Sequence, residues 1–312
     1  MKYPKVSIII LNWNGLEDTV ECLESLKKIT YPNYEVIIVD NGSTGDDVRI
    51  LREQYGDYVH IIANDRNYGF AGGCNIGIRY ALDKGTDYAL LLNNDVIVDR
   101  EFLSKLVEAA ERDHTIGIVG SKVYYYHHPN RIQFAGVEMI WLLGHLEEYG
   151  EAEDVGQFDD IAERDFVYAT SFLIKKAVID KISLMDTYFF FYFEELEYCT
   201  RAKRAGFKVI YVPQSRVWHK AGASRARLPQ FPEIQRLVED KGGSGRPYKY
   251  YYRLLCAHFP PVLVVLPFIL YFTYVGDLLF FLWRGDWQTI KRGIGKRLKY
   301  SLRVSNRPHI RR

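Results

Sequence analysis

Cysteine is scarce in this sequence, with four in 312 residues, and Cys22, Cys74, Cys199 and Cys256 show none of the paired spacings of a metal site or a redox motif. They read as reduced core or helix residues in a cytoplasmic compartment. The stretch Met1-Lys-Tyr-Pro-Lys5 runs directly into an apolar segment and leaves no room for a signal peptide. No internal repeat is present, and the length suits one large α/β domain with an appendage or two modest domains. Net charge is also slight, at +2, but it is unevenly spread. Residues 241–312 carry 14 Lys and Arg against Asp277 and Asp286, so that segment is +12 and the remainder −10. Body and tail therefore suit different partners. Aromatic residues are plentiful at 15%, gathered around residues 188–193 and from Tyr248 to Trp287.

The first third alternates two periods. Val6 to Leu11 is an apolar, β-branched run stopped by Asn12-Trp13-Asn14-Gly15, after which Leu16, Val20 and Leu23 recur at helical spacing. Tyr34 to Val39 repeats the strand, Asp40 to Gly45 the loop, and Asp46 to Tyr55 the helix. Val59 to Ala63 leads through a loop at residues 64–73 into a helix reaching about Leu82. This order predicts a doubly wound parallel sheet with right-handed crossovers, whose loops open on one edge and gather Asp40, Asn67, Asn94 and Asp95 in one crevice.

The stretch from Asp87 to Val98 stands at the centre of that reading. Tyr88 to Asn93 is too short for an ordinary helix and apolar enough for a strand buried on both faces, yet it ends in Asn93-Asn94-Asp95. A carboxylate at the carboxyl edge of an open sheet is placed to hold a divalent cation through oxygen. The same residues equally suit a polar turn into a helix from about Arg100.

The second half has strand-like runs at Ile116 to Val119, Ser121 to Tyr126, Asp165 to Ile174 and Phe207 to Val212, the last closed by Pro213. Helices are predicted at Glu101 to Arg112, Lys175 to Ile182 and Glu194 to Ala205; the region from His127 through the acidic stretch Glu147 to Asp160 takes no assignment. Arg225 to Pro247 reads as a loop and linker. Beyond it, the 25 residues from Phe259 to Trp283 are almost wholly apolar, broken by three prolines and Asp277 and followed by ten basic residues. That pattern predicts a re-entrant or in-plane anchor with its basic tail on anionic lipid; a Pro-broken buried hairpin is the alternative.

Six stretches, in order, resemble the family 2 glycosyltransferases, most closely the rhamnosyltransferase-like members: Val6 to Gly15, Val36 to Thr44, Asn67 to Asn75, Leu91 to Asp95, Phe193 to Cys199 and His219 to Ser224. The resemblance implies a GT-A fold, a Rossmann-like, mostly parallel twisted sheet with helices on both faces, over residues 1–250. Residues 1–115 would bind nucleotide sugar, residues 116–250 would carry acceptor and catalytic groups, and residues 251–312 would be the membrane-association region. The implied activity is inverting transfer of a sugar, with dTDP-rhamnose the candidate donor, to a hydroxyl of a glycan or lipid-linked acceptor at the cytoplasmic face of the cell membrane. The implied partners are that donor, that acceptor and an anionic membrane surface, and not nucleic acid.

By the same resemblance, Asp40 accepts the imide N–H of the base, and Asn12, Asn14, Asn67, Gly69 and Asn94 stand with it on the nucleotide side. Asp95 and His219 would share Mg²⁺ or Mn²⁺, the nitrogen favouring Mn²⁺. Asn93 replaces the first acid of the usual Asp-x-Asp, which leaves the metal requirement open. Glu195, in place of the common Asp, is the implied general base. Its position after six aromatic residues would desolvate it and raise its pKa, although Glu194, Glu195 and Glu197 also suit the first turn of a helix. Two other readings compete: a catalytically silent nucleotide-sugar-binding module of a membrane assembly, and a nucleotidyltransferase, whose Gly-rich basic N-terminal signature is missing from Leu11 to Gly15.

Overall fold

The computed structural model describes residues 3–140, 145–190, 193–221, 228–230 and 233. All of these belong to the first of two units, Met1–Leu254; the second, Leu255–Arg312, lies outside the described residues, and the apolar run and basic tail lie there with it. Among the described residues no helix is long and apolar enough to cross a membrane.

Strands β1 (Val6–Asn12), β2 (Tyr34–Asp40), β3 (Val59–Ala63) and β4 (Tyr88–Asn93) alternate with helices α1 (Leu16–Leu26), α2 (Asp47–Tyr55) and α3 (Gly69–Asp83). They pair in parallel in the order β3-β2-β1-β4. Ile8, Ile9, Ile10, Ile37, Ile38, Val39, Leu90 and Leu91 are all buried, so both faces of this part of the sheet are covered, as continuous apolar runs require.

The glycine-rich stretch after Asn64 is helical from Gly69 onward, where a loop to Gly73 was expected. Its glycines serve close packing. A Cβ at Gly77 would fall 2.5 Å from Ile9 Cγ2, and one at Gly73 2.3 Å from Leu11 Cδ1, so this face of α3 lies directly on β1. Gly77→Val is expected to lower stability by about 1–3 kcal/mol, the usual cost of overpacking a filled core. The check is a fall in the urea midpoint at unchanged slope; an unchanged midpoint would mean that α3 stands off the sheet.

After β4 come β5 (Val96–Val98), α4 (Phe102–Ala110), β6 (Ile116–Tyr125), β7 (His128–Phe134), β8 (Val137–Ile140), β9 (His145–Glu148), β10 (Ala152–Glu153), β11 (Ala162–Glu163), β12 (Ser171–Lys175), α5 (Lys176–Ile182), α6 (Glu194–Arg204) and β13 (Lys208–His219). Here the expectation of a mostly parallel sheet fails. β12 inserts antiparallel between β4 and β6, β7 and β10 continue antiparallel beyond β6, and β13 runs parallel to β6 but antiparallel to β5 and β11. The physical reason is that the alternation with helices, which a parallel crossover needs, lapses after α4. The result is a mixed α/β sheet.

Three further differences are local. The runs on either side of Gly120 form one strand, β6. Asp165 and Phe166 are not part of β12; Phe166 bridges Val137 instead. Pro213 does not close its strand, because β13 slips register against β6 between Val212 and Arg216, and a bulge spares the proline a ladder hydrogen bond it could not donate.

Candidate active site

At the carboxyl edge of β1 and β2, Asn12 and Asp40 are register partners. Asp40 is buried, and its carboxylate accepts from Asn12 Nδ2 at 2.7 Å, Ser43 Oγ at 2.6 Å and Ser43 N at 2.9 Å. Asn12 Nδ2 also lies 3.0 Å from Asp47 Oδ2, while its Oδ1 accepts from Thr19 Oγ1 at 2.9 Å. Thr19 Oγ1 in turn accepts from Asn94 Nδ2 at 3.0 Å. One polar network thus runs beneath the crevice from β4 through α1 to the start of α2. Asn94, Asn12 and Asp40 are members of it, as is Ser43 from the stretch Val36 to Thr44; Thr19 and Asp47 are members that no sequence pattern signalled.

Asn14 has a left-handed backbone, φ 49°, and joins the two loops above this network. Its Oδ1 accepts from Thr44 N at 2.8 Å and its N donates to Ser43 Oγ at 2.8 Å. Its Nδ2 is buried with no hydrogen-bond partner among the described residues. An orphaned buried donor between these loops is a group that a polar ligand would satisfy.

The loop carrying Asn67 and Gly69 is organised by Asn41, whose role is not visible from sequence. Asn41 Nδ2 donates to Asn67 Oδ1 at 2.9 Å and to Gly69 O at 3.1 Å, and its Oδ1 accepts from Tyr68 N at 3.1 Å. Gly69 adopts φ +76°, and a Cβ there would meet Phe190 at 2.6 Å. Glycine is needed at this position for the turn and for the aromatic segment behind it. Phe70 N donates to Phe190 O at 2.8 Å, so the segment leading into α6 is stitched to the start of α3 beside this loop.

β4 ends at Asn93, and Asn94-Asp95 turns the chain into β5. β5 was not legible in the sequence, yet it builds the site: Val96 is the antiparallel partner of His219, the last residue of β13. Asp95 Oδ1 and His219 Nε2 are consequently 3.2 Å apart, with both side chains almost covered. Asn93 Nδ2 lies 3.3 Å from the same nitrogen. The next residue, Lys220, fastens this end of β13 to α1 through Asp18 Oδ1 at 2.9 Å and through Glu21. Desolvation alone would lower the Lys220 pKa, but hydrogen bonds to Glu21 and Asp18 prevail and raise it, while Lys220 and then Tyr126 hold Glu21 below the usual carboxylate range. Both partners therefore stay charged at neutral pH.

Glu195 lies in the first turn of α6, behind Phe193 in a left-handed conformation, φ 71°. Its Oε1 accepts from Ala169 N at 3.3 Å. Burial lifts its pKa above the usual carboxylate range, and hydrogen bonds from its own N–H and from Ala169 N–H offset part of that rise. The turn at residues 168–171 connects this carboxylate to the other end of the site, because Asn93 N donates to Thr170 O at 3.3 Å. Glu197, by contrast, is taken up structurally: Arg201 grips both of its oxygens at 2.6 and 2.8 Å and ties α6 to Leu184 O at 3.0 Å.

Among the described residues, Asp95 and His219 form a pair placed to hold a cation; no cluster of three or more His, Cys, Asp or Glu able to hold a metal occurs among them. The pair fits a divalent ion whose remaining positions are filled by a diphosphate and water, an oxygen-and-nitrogen donor set that suits Mn²⁺.

A family model described as Glycosyl transferase family 2 matches residues 7–183. Among characterised relatives, a low-salt glycan biosynthesis hexosyltransferase, Agl10, of Haloferax volcanii is 25% identical over 213 residues, covering 65% of this chain and 63% of its own length. A dTDP-rhamnosyl transferase, RfbF, of Shigella flexneri is 26% identical over 203 residues, covering 63% of both proteins. The chain thus spans less than two thirds of the length of either relative. Among solved structures, that of GalNAc-T7 with UDP, GalNAc and Mn²⁺ matches with a TM-score of 0.58 at 18% identity over 70% of this chain and 43% of that one, a likeness of fold.

Proposed function

We propose, from the premise that this chain belongs to glycosyl transferase family 2, that it transfers a sugar with inversion from a nucleoside diphosphate sugar to a hydroxyl of a glycan or lipid-linked acceptor. The setting we propose is the cytoplasmic face of the cell membrane, in the synthesis of a surface polysaccharide or glycoconjugate. The observation that carries this reading is the Asp95–His219 pair at 3.2 Å, joined through the turn at residues 168–171 to the half-buried carboxylate of Glu195. The name of the Shigella flexneri relative supports dTDP-rhamnose as the first donor to test.

In this reading Glu195 takes the proton from the acceptor hydroxyl, whose oxygen forms the new bond to the anomeric carbon. The bond from that carbon to the diphosphate breaks on the opposite side, and the nucleoside diphosphate leaves. A divalent cation held by Asp95 and His219 would neutralise charge developing on the leaving group, which is electrostatic stabilisation of the transition state. The Mn²⁺ bound in the GalNAc-T7 structure supports such a cation here. On the nucleotide side, Asp40 has acceptor capacity left on Oδ1 for the base, and the orphaned Asn14 Nδ2 is a donor for it or its ribose. Because Asp40 also anchors Asn12 and Ser43, its loss would loosen both loops as well as weaken donor binding.

The experiment that tests the reading is a donor panel with full-length protein, measuring nucleoside diphosphate release with and without lipid-linked acceptor. Release with one donor only when acceptor is present is the expected result. Donor binding without release in any combination would favour the silent binding module, and pyrophosphate release a nucleotidyltransferase. A chain cut after Arg253 is expected to keep donor binding but to leave the membrane fraction, since every named donor and metal residue precedes that point. Full-length protein that ignores anionic liposomes would remove the anchor from the proposal.

A further inference from the structure

Opposite the edge that meets Asp95, the His219 ring makes a second contact: Nδ1 lies 2.8 Å from Gln133 Oε1, an amide oxygen that can only accept. The contact depends on an irregularity in β7. Against β6, Phe134 pairs with Val123 but Ile132 pairs with Tyr124, so one residue, Gln133, is left over as a bulge. A bulge breaks the strict alternation of faces and re-aims a side chain. Here it turns the amide across β6 towards His219, which pairs with Tyr125 on the far side of that strand.

We propose that Gln133 is a positioning residue that fixes the His219 tautomer, placing the proton on Nδ1 and presenting Nε2 as a lone pair beside Asp95 Oδ1. The inference rests on the proposed role of His219 as a cation ligand, and it explains a feature that the ligand assignment alone leaves open. In that tautomer Asn93 Nδ2, 3.3 Å away, can donate to Nε2, but Nε2 and Asp95 Oδ1 remain two acceptors 3.2 Å apart, which repel unless a proton or a cation lies between them. With the other ring nitrogen committed to Gln133, the site is set for a cation. Were Nε2 to carry the proton, it would donate to Asp95 and the pair would close on itself. An acceptor hydrogen-bonded to the far nitrogen of a ligating imidazole has this effect at metal sites generally, and its removal typically weakens metal binding by about 10–100-fold.

The test uses full-length protein labelled with ¹⁵N-histidine and freed of metal. His219 signals are identified as those missing from His219→Asn, under mildly alkaline conditions. The expected wild-type pattern is a protonated Nδ1 and an unprotonated Nε2. Gln133→Leu should move the proton to Nε2 or divide it between the two nitrogens, whereas Gln133→Glu, which keeps an acceptor in place, should preserve the wild-type tautomer. In parallel, Mn²⁺ affinity measured by electron paramagnetic resonance with saturating dTDP should fall about 10–100-fold in Gln133→Leu and hold in Gln133→Glu. A wild-type Nε2–H tautomer, or a Gln133→Leu tautomer identical to wild type, would overturn the proposal. If His219→Asn binds Mn²⁺ as tightly as the parent while the tautomer still follows Gln133, the cation reading fails and the positioning role stands.

Discussion

Glu195→Gln is expected to lower turnover by about 10²–10⁴ while leaving donor affinity unchanged, the usual worth of a positioned general base. The substitution keeps the size of the side chain and an oxygen for Ala169 N–H, so the turn that bears on Asn93 should hold. What it removes is the ability to accept a proton. Glu195→Asp should recover part of the rate, because a shorter carboxylate misplaces the base without abolishing it. The raised pKa makes two further demands. Activity of the parent should rise with pH through a value above the 4.5 of an ordinary glutamate, since only the ionised form is a base. Stability should run the other way. The folded state holds this proton more tightly than the unfolded chain, so the Glu195 contribution is fully present below the unfolded value and is lost as pH rises through the folded one. At neutral pH the parent carries that penalty and Glu195→Gln does not, so the inactive variant should melt higher than the parent. Full turnover in Glu195→Gln, with loss in Glu194→Gln, would reassign the base; Glu197→Gln is the poorer control, because Glu197 holds Arg201.

The parts of the fold that the sequence made legible are those where periodicity reports burial. β1 to β4 are six- or seven-residue apolar runs, apart from the five-residue β3, and the helices between them show one apolar stripe each, so strand and helix separate cleanly. β7 gave no such signal. His128, Pro129, Asn130 and Arg131 are all exposed, and only its last three residues carry covered positions. β5 is three residues long and follows a polar turn, so it reads as part of that turn. Its existence depends on pairing with β13, more than 110 residues further on, which no local window can contain. The same limit governs the site. Asp95, His219 and Glu195 are candidates because each lies in a stretch with a family resemblance, as Asn41 and Ser43 also do, whereas Thr19 and Gln133 lie outside all six stretches and act through Asn94 and His219, distant in sequence. Their types are ordinary loop and strand residues; only register and bulges assign them a role.

Removal of the cation, or of the carboxylate that would hold it, is expected to be the other large loss. Asp95→Asn preserves volume and leaves an oxygen near His219, but it discards the one formal negative charge that the ligand pair offers. If a cation bridges this pair and the diphosphate, Asp95→Asn should lower kcat/KM by about 10²–10³, the range seen when one transition-state electrostatic contact is removed. Chelation of metal from the parent should bring it to a similar level, and Mn²⁺ should restore the parent but not the variant. His219→Ala should cost less, because it takes away a neutral ligand that water can replace, and it should shift the Mn²⁺ concentration needed for half-maximal activity more than kcat. The double variant decides whether the two act as one unit. Groups that serve a single ion are strongly non-additive, so Asp95→Asn with His219→Ala should be scarcely worse than Asp95→Asn alone. Additive losses, or Mn²⁺ activation that survives in Asp95→Asn, would mean that the two side chains meet the donor separately, with His219 donating directly to the diphosphate and no shared cation between them.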